Sequence, residues 1–112
     1  MDKIDKYKTI IHEVLETRAK NMLANSPGAQ SHLIYDEEKN EYALLWVGWT
    51  GDEYTHGLMF HVQIIDEKVW VHEDRTDIGI ADVLAEAGIP KTDIVLGFVA
   101  PYARSISGFA AA

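Results

Sequence analysis

The chain has no cysteine among its 112 residues. That excludes disulfides and thiolate metal sites, and it fits a reducing compartment. No stretch approaches the roughly 20 consecutive apolar residues that a membrane span needs. The opening Met1-Asp2-Lys3-Ile4-Asp5-Lys6 mixes acids and bases around no apolar core, so it does not read as a secretory signal. The expected location is cytoplasmic, without membrane attachment. Phosphate-binding glycine loops, dinucleotide fingerprints and Gly-x-Ser-x-Gly elbows are missing. Ser105 and Ser107 have no patterned base nearby, so nucleophilic catalysis has no support.

Positive charge is also scarce. The 10 Lys and Arg face 18 Asp and Glu, for a net charge of −8. The imbalance lies beyond the start: residues 1–24 hold five bases and four acids, and residues 25–112 hold five bases and fourteen acids. Nucleic-acid binders need a basic stripe that displaces counterions from phosphates. Only Lys3, Lys6, Lys8, Arg18 and Lys20 offer one, and acids interrupt it. Tight, direct nucleic-acid binding is therefore disfavoured. An acidic body suits solubility or a basic protein partner better.

What is present reads as one α+β domain spanning 1–112. Ile4, Tyr7, Ile11, Val14, Leu15, Arg18 and Met22 recur at helical spacing, predicting an amphipathic helix from about Asp2 to Leu23. Asp2 or Asp5 can cap its start, and Pro27-Gly28 stops it. Four strand-like runs follow at the spacing of a meander: about Ser31–Asp36, Tyr42–Trp49, Tyr54–Ile65 and Lys68–Glu73. The second is almost continuously apolar, which suggests a central strand covered on both faces. Asp74 or Thr76 can cap a second helix from about Asp77 to Ala87, with Ile80, Val83, Leu84 and Ala87 as its buried stripe. Gly88 stands where a left-handed C-cap belongs, and Pro90 enforces the stop. A short helical turn is expected at Pro90–Asp93, then an extended Val95–Phe98 and an irregular tail from Pro101. The expected fold is a four-stranded antiparallel β-meander with an N-terminal amphipathic helix and a second helix after the sheet.

The last hairpin can be read in register. A loop centred on Asp66-Glu67 places Val62 opposite Val71 and Ile64 opposite Val69 on one face, the core face. Gln63 then faces Trp70, and His61 faces His72, on the other. Asp66-Glu67 lacks the glycine preferred in two-residue turns, so an odd-length loop, which would break this register, is the alternative.

His61 and His72 could be two ligands of a His/carboxylate metal centre, with Glu53 or Asp74 as a third, or the acid–base pair of a small enzyme. The blander reading is a pair of half-exposed strand histidines bonded to their neighbours, and it is preferred because nothing else has metal-ligand spacing. No cofactor is implied. An unbroken strand would put His56 and His61 on opposite faces, against a three-histidine cluster. Trp46, Trp49 and Trp70 are expected to anchor a core or interface rather than stack nucleotide bases, since no basic residues interleave with them. Phe98, Tyr102 and Phe109 punctuate a nonperiodic tail that is expected to dock onto the sheet or onto a second subunit.

Several of these segments together resemble the XisI family, the fdxN element excision controlling factor proteins of cyanobacteria. The resemblance spans nearly the whole chain, from Met1-Asp2-Lys3-Ile4-Asp5-Lys6-Tyr7 through Val47-Gly48-Trp49. His61-Val62-Gln63-Ile64 with Val69-Trp70-Val71, and Asp74 to Ala81, are its most specific parts. Gly88 to Phe98 and the ending from Arg104 to Phe109 complete it. His72 stands where such proteins more often carry glutamine, and Gly108 where an acidic residue is more usual. The resemblance implies a role in programmed DNA excision during heterocyst differentiation. There such proteins act as non-enzymatic controlling factors beside a recombinase and a companion, XisH. A XisH-like partner and a homo-oligomer, a dimer foremost, are the expected associations. A metal-dependent or acid–base enzyme using His61 and His72 is one alternative; a weak DNA-binding accessory acting through the first helix is another. The candidate partner-binding residues are His61, Gln63, Trp70 and His72 on the non-core hairpin face, with Tyr102, Arg104 and Phe109 in the tail.

Overall fold

A computed structural model describes residues 2–25, 28–75 and 79–111, with the side chains of 22–25 excepted. Helix α1 spans Lys3–Asn25, and Asp2 caps it: the Asp5 N–H donates to Asp2 Oδ1 at 2.9 Å. Tyr7, Ile11 and Leu15 of the expected stripe are buried, while Ile4 and Val14 pack partly exposed beside them. Pro27 and the Met22 side chain lie outside the described residues.

Strands β1 (Ala29–Asp36), β2 (Glu41–Thr50), β3 (Glu53–Ile65) and β4 (Lys68–Asp74) form the expected antiparallel meander. The sheet does not end there. After helix α2 (Ile80–Glu86), Ile94–Leu96 forms β5, pairing parallel to β4 with Val69 opposite Ile94 and Val71 opposite Leu96. The sheet is therefore five-stranded and mixed, not four-stranded and antiparallel. A chain that leaves β4 and returns through a helix enters in the same direction, so the new pairing is parallel. Three residues are too few to show strand alternation, and the expected extended stretch at Val95–Phe98 turns at Gly97-Phe98 instead. The tail is ordered as well: Pro101–Ile106 is a 3₁₀ helix, and Ala110 bridges to Val95, its N–H donating to Ile94 O at 2.8 Å.

Both helices cover one face of the sheet. Tyr42, Leu44, Phe60, Val62, Ile64, Val69 and Val71 point into that layer beside Ile80, Leu84, Ile89 and Ile94. β2 is interior to the sheet as expected, but only Tyr42 and Leu44 are buried; its other face is half-exposed and Trp49 is exposed. None of the three tryptophans is a buried core residue. α2 starts at Ile80, so Thr76 and Asp77, expected at its start, lie outside the described residues. Asp74 does cap it, accepting from the Ile80 N–H at 2.6 Å. Ala81, rather than Val83 or Ala87, completes the buried stripe. Gly88, at φ 123°, takes the left-handed stop, with the Ile89 N–H bonded back to Leu84 O at 3.1 Å.

The β3–β4 hairpin keeps the two-residue turn without a glycine. Asp66 and Glu67 adopt φ of 50° and 64°, the signs of a type I′ turn. Its register pairs Val62 with Val71, Gln63 with Trp70 and Ile64 with Val69, as expected. Beyond Val62 a bulge intervenes, so His61 stands opposite Glu73 and His72 is the extra residue. A second bulge, where β3 meets Leu44 and Leu45, passes over Met59. It cancels the parity argument: His56 and His61 share a face, several residues apart along the strand.

Tyr7 joins the start of α1 to the 3₁₀ turn Lys91–Asp93. Its hydroxyl donates a short hydrogen bond to Asp93, which Lys3 also pairs at 3.0 Å. Burial, then the hydrogen bond and charge of Asp93, push the Tyr7 pKa up to about 12. The Tyr7 hydrogen bond is the largest cause holding Asp93 below its ordinary value, and Lys3 adds to it against the opposing effect of burial.

These contacts set two outcomes for stability. Tyr7→Phe should cost about 1.5–3 kcal/mol in urea unfolding at pH 7, the range for a hydrogen bond to a charged group. With Asp93 depressed in the fold, its contribution is present above the unfolded carboxylate pKa of about 3.9 and lost as pH falls below it. The wild-type advantage should therefore shrink at pH 3; an equal difference at pH 3 and 7 counts against the linkage. Glu67→Gly should raise stability in urea unfolding by about 1 kcal/mol, because only glycine takes positive φ without a Cβ penalty.

Candidate functional site

The face of the sheet away from the helices carries a continuous row of polar and aromatic side chains. It begins on β2 with Glu41, whose Oε1 lies 2.6 Å from His61 Nε2 on β3. The His61 and His72 rings are 4.8 Å apart, and His72 Nε2 meets Gln63 Oε1 at 3.1 Å. His72 stacks with Trp70 at 6.1 Å, and the Arg104 guanidinium sits 5.1 Å over the Trp70 ring. Such a cation–π contact contributes about 0.5–1 kcal/mol where exposed.

The bulge explains why His61 and His72 meet although they are not paired. Where two residues oppose one, both can lean to the same side, so His72 and Glu73 both accompany His61 on the outer face. Gly97 makes room beyond: a Cβ there would meet His72 Nδ1 and Val71 O at 3.3 Å. The Gly97 N–H donates to Val71 O at 2.8 Å, and Arg104 donates to Gly97 O at 3.3 Å and Val99 O at 3.0 Å. These bonds hold the guanidinium over the tryptophan.

Of the residues expected to bind a partner, the structure brings together His61, Gln63, Trp70, His72 and Arg104. Phe109 is elsewhere, half-buried against the core with Lys91 Nζ 5.5 Å from its ring centroid. Tyr102 is 90% exposed. Glu41 was not expected. No local pattern marks it, and it reaches His61 only because β2 and β3 pair Glu41 with Gln63. It also lines, with His61, Ala43, Ile34, Tyr35, Asp36 and Glu37, a cavity of about 570 Å³ at the β1–β2 turn.

The third metal ligands considered from sequence do not complete a site with the two histidines. Asp74 caps α2, and Glu53 lies at the far end of the β2–β3 hairpin. Among the described residues no group of three His, Asp or Glu side chains could hold a metal ion. The basic stripe of α1 is likewise broken, since Lys3 is engaged by Asp93 and Arg18 is half-buried. No described helix is long and apolar enough to cross a membrane.

The family model described as XisI protein matches residues 1–111. Two solved structures from Anabaena variabilis are similar along the whole chain. A XisI-like protein shares 32% identity over 97% of this chain and 99% of that one, with a TM-score of 0.86. The fdxN element excision controlling factor XisI shares 34% identity over 99% and 100%, with a TM-score of 0.78. No curated protein matches the chain.

Burial, then the neighbouring charge of His61, lowers the His72 pKa, and Glu41 opposes the shift. His72 should titrate below about 6.5 by NMR. It should move up in His61→Phe and further down in Glu41→Gln. Because the fold favours its neutral form, this contribution to stability is present above pH 6.5 and lost as pH falls through the folded value. An unmoved His72 resonance in both variants would disprove the coupling.

Proposed function

The chain belongs to the XisI family, and from that premise we propose that it controls a programmed DNA excision by binding a protein partner, without catalysing the strand chemistry itself. One observation supports this reading above the others. The outer sheet face presents Glu41, His61, His72, Trp70 and Arg104 as one row, each side chain held by its neighbour. Aromatic and arginine side chains fixed in place are typical anchors of protein interfaces, because little side-chain entropy is lost when they bind. The chain's net charge of −8 adds a preference for a basic partner surface. A XisH-like protein is the proposed partner, and the cytoplasm the proposed location.

The His61–Glu41 pair also has the form of an oriented general base. Alone it supports no reaction, since neither a nucleophile nor a group to stabilise developing charge stands beside it among the residues in contact. The pair is better accounted for as the inner end of the recognition row.

Binding to a XisH-like protein, measured by biolayer interferometry, should give a complex at about micromolar concentration. Trp70→Ala and Arg104→Ala should each weaken it at least about 10-fold, as expected of anchor residues. Lys20→Ala on α1 should leave it unchanged. No complex at about 10 µM, or equal losses in all three variants, would count against this function.

A further inference from the structure

The two edges of the sheet are treated differently. β5 is three residues long, and Ala110 covers its free side through the bond to Ile94. β1 is eight residues long and pairs with β2 without a bulge from Ala29 opposite Gly48 to Asp36 opposite Glu41. Among the described residues its other side has no strand partner. Folded proteins blunt such an edge with lysine, proline, a bulge or a covering segment. The sequence Ala29-Gln30-Ser31-His32-Leu33-Ile34-Tyr35-Asp36 has neither lysine nor proline, and among the described residues no backbone bond covers it.

The direction of each backbone group follows from the register. The Trp49 N–H donates to Gly28 O at 3.2 Å, so even-numbered residues of this segment face β2. Antiparallel pairing alternates, and the N–H and C=O of Ala29, Ser31, Leu33 and Tyr35 therefore point outward. Ile34 and Tyr35 add exposed apolar side chains, 54% and 47% accessible.

We propose that the β1 edge is the contact between two copies of this chain, joined antiparallel across a twofold axis normal to the sheet. That symmetry pairs residues of like parity, so outward groups meet outward groups: with Leu33 on the axis Ser31 meets Tyr35, and with His32 on the axis Ser31 meets Leu33 and Ala29 meets Tyr35. Asp36 is the only carboxylate in the strand. Antiparallel pairing sends the two copies of Asp36 to opposite ends, whereas elsewhere the acidic surfaces repel. With the β5 edge closed by Ala110, the assembly stops at two copies and does not grow into a filament. The pairing leaves the outer faces of both sheets on the same side, placing two copies of the Trp70–Arg104 row on one surface.

Sedimentation equilibrium together with amide hydrogen exchange tests this. The wild type should dimerise at tens of micromolar, about the range where edge pairing is measurable. The amides of Ser31, Leu33 and Tyr35 should gain protection as protein concentration rises, while those of His32 and Ile34 are protected throughout. The double variant His32→Lys/Ile34→Lys places like charges across the axis in either alignment, on side chains that are exposed. It should keep its circular dichroism spectrum and weaken the dimer at least about tenfold. Hydrogen exchange on the wild type needs no variant and reads the same contact. A wild type monomeric at about 100 µM overturns the proposal, including one whose edge amides become protected only when another protein is added. A dimer in which the three amides stay unprotected overturns it equally.

Discussion

Phe60, Val62, Val69 and Val71 point to one side of the sheet, and the rest of the molecule is arranged to keep water from that side. α1 lays Tyr7, Ile11 and Leu15 over them, and α2 adds Ile80 and Leu84. Burying each large aliphatic side chain contributes about 1.5–3 kcal/mol before conformational entropy is set against it. Two helices are enough for one face of five strands and no more. The outer face is left half-exposed, with Ala43, Leu45 and Val47 on β2 beside the polar and aromatic row, and Arg104 sits over Trp70 at its β4–β5 end.

The same constraint accounts for the Tyr7–Asp93 contact. α1 begins beside the turn that feeds β5, so the layer of helices and the added strand are tied by one hydroxyl and one carboxylate. The tie also helps to place the segment after β5. Gly97 lies between β5 and the 3₁₀ helix, accepts from Arg104, and leaves the space that His72 occupies. A core contact on one face and the polar and aromatic row on the other are thus linked through three residues of β5.

Much of this was legible in the residue pattern, for identifiable reasons. Period-two alternation and a short connection define a hairpin, so the pattern alone places the Val62–Val71 and Ile64–Val69 pairs. Helical spacing likewise places Tyr7, Ile11 and Leu15 on the buried side of α1. The bulges could not be read this way. A bulge is one extra residue with no obligatory composition, and it changes every parity count beyond it. His72 moved from opposite His61 to beside it, and His56 came to the face that counting had denied it. An extended stretch was expected from Val95, but its pairing as β5 was not read, because a parallel strand after a helix has no turn to announce it and, here, only three residues.

The sequence by itself determined the two helices, the four strands of the meander, their apolar sides and the family to which the whole pattern belongs, because these depend on periodicity and local chemistry. It also contained the histidines, Trp70 and Arg104 without saying which would touch. Only the tertiary structure decided that Glu41 meets His61, that Tyr102 is left exposed, and that one sheet edge is covered while, among the described residues, the other is open. Those outcomes depend on register summed over several strands and on where the chain returns after α2. A local pattern fixes the direction of a side chain, whereas the meeting of distant groups is set by the path between them.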